Sequence, residues 1–221
     1  MLNLLYDYIQ RSLPEDGRLH TSAGLAKKVS PEGRLLPFYG NTLVFLLPEG
    51  VRSALARLRD GLYAAAPEIF AEKLREESFH VTLHDLANSA DPAEAGALMP
   101  GAAARAREIL RRFGPFGPIA MRGTWTFNMV NTSIVLGLEP CCAPGHERLS
   151  ALYEALEGAV RLGYALTPHV TLAYFRPGEY GPELTGRLRA ALGPAPIELE
   201  LREENLVLQR FTDMNSYFTE T

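Results

Sequence analysis

Two of the five histidines in this 221-residue chain, His80 and His169, open the same tetrapeptide, His-Val-Thr-Leu. Successive side chains of an extended strand point to opposite faces, so His80 and Thr82 are expected on one face and Val81 and Leu83 on the other. The same holds for His169 and Thr171 against Val170 and Leu172. Each copy thus offers an imidazole and a hydroxyl together, anchored from behind by two apolar residues. An imidazole with an ordinary pKa of about 6.5 accepts or donates a proton near neutral pH. A threonine hydroxyl donates to an anionic oxygen and suits a phosphoryl group. Set across a pseudo-twofold axis, two such pairs would flank one P–O bond. A neutral histidine would take the proton of the attacking oxygen, a protonated one would supply the leaving oxygen, and the threonines would hold the non-bridging oxygens. Such a site needs no metal or cofactor.

The elements that must position these residues also come in two copies. "NTLVFLLPEG" from Asn41 resembles "NTSIVLGLEP" from Asn131, at an offset of 90 residues against 89 for the histidines. "LVFLL" and "IVLGL" read as buried strands. Val51, Leu55, Leu58 and Leu62, and then Leu149, Leu152, Leu156 and Val160, recur at helical spacing. After each helix comes the histidine strand, then a second helix over Gly101–Phe113 or Glu183–Leu192, then alternating strands in "IAMRGTWTFN" and "IELELREENLVLQRF". The expected fold is α+β: a bilobal internal duplication with two antiparallel-rich sheets, helices on their outer faces and a central cleft. The first repeat spans 39–117 and the second 118–221, as lobes of one domain able to exchange strands. "ANSADPAEAGALMPG", after the first histidine strand, reads as a surface loop. Residues 1–38 have no counterpart; they start with an amphipathic pattern over Leu2–Leu13 and form a candidate lid.

Composition narrows the function classes. A net charge of -4 and a pI of about 5.8 leave no broad basic surface for long duplex nucleic acid, so the expected partner is a small phosphorylated molecule. Cys141 and Cys142 are adjacent and build neither a disulfide framework nor a spaced zinc site. The N-terminus lacks signal-peptide features, and no apolar run reaches the roughly 20 residues of a membrane span. A cytoplasmic monomer is the expectation.

On these residues the chain resembles the two-histidine (2H) phosphoesterase superfamily, which includes the LigT-like RNA 2′,3′-cyclic phosphodiesterases. One H-x-T-x motif per half of a duplicated chain carries the resemblance, over about residues 38 to 212. It implies a bilobal fold and metal-independent hydrolysis of a cyclic phosphodiester. It also implies that His80 and His169 are the acid–base pair and Thr82 and Thr171 the phosphate-binding hydroxyls. The N-terminal extension and "YGNTLVFLLP" point to a branch of the superfamily other than the standard RNA ligase-like enzymes.

Other residues enter as auxiliaries. His84 shares the His80 face if the strand runs on regularly, and Ala173 stands in its place in the second copy. The "HD" of His84 and Asp85 has no further His/Asp cluster to complete a metal site. Arg122 is the cation of its strand most suited to meet a phosphate. Tyr39, Phe79, Trp125 and Tyr174 are candidates to stack on a base, though Tyr174 is expected to point away from the His169 face. His20, Lys27, Lys28 and Arg34 could reach a phosphate if the N-terminal segment folds over the cleft. The alternative function is a non-catalytic nucleotide or RNA-end binding module on the same scaffold.

Overall fold

A computed structural model describes residues 13–220; all but the last residue of the amphipathic pattern at 2–13 lies outside them. The buried run of the first unit forms strand β2 (Tyr39–Leu46), and its counterpart forms β5 (Ser133–Pro140). The predicted stripes form helix α1 (Glu49–Ala65), which buries Leu55 and Leu62, and helix α3 (Ala143–Leu156), which buries Leu149, Leu152 and Leu156. Val160 falls beyond the end of α3. The histidine strands are β3 (His80–Ser89) and β6 (His169–Tyr174).

The loop expected over Ala87–Gly101 is instead the end of β3 and the start of helix α2 (Pro92–Phe113). Asp91 caps it, its carboxylate accepting from the Ala93 and Glu94 amides, and Pro92 fits the first turn, where no amide partner is needed. Pro100 lies inside the helix. Burial of Ala95, Ala102, Ala103 and Ala106 offsets the hydrogen bond it removes. The predicted helix at 183–192 is α4 (Pro182–Ala191).

Two four-stranded antiparallel sheets result. They also use β4 (Ile119–Met129), β8 (Glu198–Leu201), β9 (Leu206–Asp213) and β10 (Ser216–Thr219). Read outward from the histidine strand, one sheet is β3-β2-β9-β10 and the other β6-β5-β4-β8. The run "IELELREENLVLQRF" is therefore two strands, broken by a 3-10 turn at Glu203–Asn205 and shared between the sheets. The histidine strands are the edges of their sheets and lie against one another. Helices cover the opposite faces: α2 packs on β3 and β2, α3 on β4 and β5, and α1 reaches β6. One continuous buried core runs through both halves.

Register shifts decide which side chains face the cleft. Val44 pairs with Thr82 but Leu43 with His84, so β3 carries an extra residue there. A second shift sets Thr42 opposite Asp85 and Gly40 opposite Asn88. The pairs Leu83 and His84, then Leu86 and Ala87, are buried together. His80, Thr82, Asp85 and Asn88 thereby share the cleft face, as bulges allow and strict alternation forbids. Strand β6 repeats the first shift, with Val135 opposite Thr171 and Ile134 opposite Ala173. Leu43 is therefore equivalent to Ile134, 91 residues on, and the textual match of Asn41 to Asn131 is one residue out of register. Asn41 fills the second bulge of β3 by accepting from the Ala87 amide, whereas Asn131 sits in the β4–β5 turn at φ 59.

The segment before β2 is strapped across both halves. Its short strand β1 (Leu19–His20) pairs with β7 (Glu179–Tyr180), and Ser22 donates its amide to Asn131. At its other end the Phe38 amide donates to Thr212, and the Glu72 amide to Gly33. Leu19, Leu25 and Val29 are buried beneath it.

Candidate active site

His80, Thr82, His169 and Thr171 line one cavity of about 900 Å³ between the two sheets. The tertiary structure thus gathers four residues that stand 89 apart in pairs. Each imidazole is oriented from the chain just before it. The His169 Nδ1–H donates to the Thr167 carbonyl (2.7 Å), and the His80 ring bonds the backbone of Ser78. With Nδ1 so engaged, Nε2 of His169 is left to act on a ligand. Tyr217 meets the His80 ring edge-on, with centroids 4.7 Å apart. Burial pushes the His80 pKa down to about 4, repulsion from His169 adds to this, and the bond to Ser78 and the charge of Asp85 oppose it. Burial likewise lowers the His169 pKa against the bond to Thr167 and Asp85.

His84 does not share the His80 face. The register shift turns it to the core side, where it is 1% exposed. Its ring nitrogens bond the Asp85 carbonyl (2.6 Å) and Glu157 Oε1 (3.3 Å), and its ring packs against Tyr153. Glu157 also accepts from the Leu162 and Gly163 amides, and the Tyr153 hydroxyl donates to the Tyr164 carbonyl. His84 therefore reaches, through Glu157, the loop at 162–167 that ends on the carbonyl orienting His169. Asp85 faces the cleft beside the Thr42 hydroxyl (3.3 Å), while the buried His84 borders the same cavity from the core side.

The same shift turns Tyr174 into the cavity, against the expectation from regular alternation. Its hydroxyl donates to Met214 Sδ (3.2 Å). Phe79 is fully buried in the core, and neither Tyr39 nor Trp125 lines the cavity. Arg122 lies outside it too, exposed and paired with Glu139. Of the basic residues in the N-terminal segment, Lys28 lines the cavity, and His20 lies against Glu179 at the surface. Sequence reasoning missed Phe38, Phe211, Met214 and Tyr217, which join the lining through pairing at long range. Asn215 anchors their hairpin by accepting from the Arg75 amide and the Ser78 hydroxyl, just ahead of His80. Among the described residues no three His, Cys, Asp or Glu side chains group as a metal site requires, and no helix is long and apolar enough to cross a membrane.

The chain matches no family model and no curated protein. Solved structures match it over most of its length. ATU0111 from Agrobacterium tumefaciens str. C58, a conserved protein of unknown function, aligns with a TM-score of 0.64 at 20% identity, covering 97% of each chain. E. coli LigT in apo form aligns with a TM-score of 0.56 at 16% identity, covering 84% of this chain and 96% of its own. The chain has the LigT fold. A crystal structure of a phosphoesterase agrees, with a TM-score of 0.51 at 16% identity over 84% and 96% of the two chains. The resemblance carried by the two H-x-T motifs therefore holds at the level of fold. E. coli LigT has also been solved complexed with phosphate and with 3′-AMP. In the LigT fold of this chain, the two sheets present both motifs to one cavity.

Proposed function

We propose that this protein is a metal-independent phosphodiesterase that opens a cyclic phosphodiester, such as a 2′,3′-cyclic nucleotide or RNA end, using His80 and His169 as its acid–base pair. The observation that carries this reading is the convergence of both imidazoles and both threonine hydroxyls on one cavity. The LigT complexes with phosphate and 3′-AMP support it. A water oxygen attacks phosphorus as one neutral histidine accepts its proton. The ring P–O bond breaks as the other histidine, protonated, gives its proton to the departing oxygen, leaving a phosphomonoester. Thr82 and Thr171 donate to the non-bridging oxygens, where negative charge builds. Burial holds both histidines below their ordinary pKa, and an incoming phosphodiester anion favours the one imidazolium the reaction needs.

The test is a panel of cyclic phosphates assayed in EDTA. Turnover should persist with the chelator, and His80→Ala and His169→Ala should each lose about 10²- to 10⁴-fold in kcat. Full activity in both variants, or saturable binding without turnover across the panel, overturns the assignment.

A further inference from the structure

The cavity holds a charge that the acid–base chemistry does not use. Among the described residues Lys28 is the one lysine or arginine in its lining, as Asp85 is the one carboxylate. The ammonium lies 4.9 Å over the ring of Phe38. Phe38 stacks on Phe211 at 6.1 Å, Phe211 lies 5.5 Å from Tyr217, and Tyr217 meets His80 at 4.7 Å. Three aromatic rings thus form a wall with the His80 imidazole at one end and the ammonium at the other. All of them line the cavity.

Lys28 is held there by the strap. Its own amide donates to the Leu25 carbonyl and its carbonyl accepts from the Leu36 amide, while Leu25 and Val29 are buried on either side. Among the described residues its ammonium makes no ion pair or hydrogen bond. Burial lowers its pKa against the attraction of Asp85. Asp85 also favours the charged form of both histidines. A desolvated ammonium is costly unless an anion meets it. In the proposed reaction the scissile phosphate would sit beside His80, at the other end of the wall. A cavity of about 900 Å³ also holds far more than a cyclic phosphate.

We infer that Lys28 binds a second phosphate of the substrate. The substrate class is then a cyclic phosphodiester whose body lies along the Phe38–Phe211–Tyr217 wall and ends in a phosphate monoester, as in a 5′-phosphorylated nucleoside 2′,3′-cyclic phosphate. Lys28 is a specificity-determining residue, and the N-terminal strap is what places it. This inference rests on the phosphodiesterase reading for its first phosphate and on the Lys28 end of the cavity for its second.

The experiment compares adenosine 2′,3′-cyclic phosphate with its 5′-phosphorylated form as substrates, and adenosine 2′-phosphate with adenosine 2′,5′-bisphosphate as ligands in calorimetry. Each is measured on the wild type, Lys28→Met and Lys28→Arg. The wild type should favour the 5′-phosphorylated member of each pair by about tenfold or more, Lys28→Met should bring that ratio close to one, and Lys28→Arg should restore most of it. A ratio is insensitive to partial loss of folded protein. Equal treatment of each pair by the wild type, a preference that survives in Lys28→Met, or no binding of either ligand overturns the inference. A Lys28-dependent binding preference without turnover sustains it while removing the hydrolase reading. Turnover without preference does the reverse.

Discussion

At the scale of single residues, the pH response follows from the burial of the two imidazoles. In the proposed reaction the active form has one histidine neutral and one charged. With His80 at about 4 and His169 below its ordinary value, that form is most populated between the two pKa values. The kcat/KM profile should therefore be a bell centred below about pH 6.5. Substrate anion raises both values, so the kcat profile should peak at higher pH than kcat/KM; a shift the other way would contradict the charge assignment. Stability carries the same sign. His80 binds its proton more weakly folded than unfolded, so the unfolded chain takes up the proton as pH falls from about 6.5 towards 4. Stability is complete above that window and is lost within it, by up to about 3 kcal/mol for this group. Histidine and threonine identity was legible in the sequence. The positions of Asp85 and Tyr174 were not, because each follows a bulge that no local spacing announces.

At the scale of elements, the bulges are held by specific partners. Gly40 faces the second shift of β3, where a Cβ would run into the Ala87 carbonyl oxygen and the Phe211 ring. Gly40→Ala should cost about 1–3 kcal/mol, read as a lower denaturation midpoint, because backbone rather than a flexible side chain must yield. His84 and Glu157 join β3 to the loop after α3. His84→Ala should cost about 1–3 kcal/mol, and a cycle with Glu157→Gln should show coupling of about 0.5–3 kcal/mol. Additivity would mean that the two residues act independently. The first half of helix α2 is the stretch least legible in advance: its glycines and Pro100 read as loop, and burial of its alanines against β3 and β2, with the Asp91 cap, favours the helix.

At the scale of the molecule, one core passes through both halves. Phe70 of the first half stacks on Phe175 of the second, and the strap is tied to each. The C-terminal hairpin β9–β10 completes the first sheet from the far end of the chain. Unfolding should therefore be a single transition, with Trp125 fluorescence and far-ultraviolet circular dichroism coincident in denaturant. Leu25→Ala, in the strap, should shift that one transition by about 2–5 kcal/mol rather than release a separate early phase. Two resolved transitions would show that the halves fold independently.

The sequence by itself determined the duplication, the α+β class and the two imidazole–hydroxyl pairs. Those features rest on local periodicity, which alternation along a strand and the turn of a helix impose on any chain. Tertiary structure alone decided that the histidine strands are adjacent edges, that bulges turn Asp85 and Tyr174 to the cleft and His84 into the core against Glu157 and Tyr153, and that Lys28 closes the aromatic wall. These depend on which strands pair and in what register. Pairing between segments as distant as Phe38 and Phe211 is set by the shared core rather than by either neighbourhood in the chain.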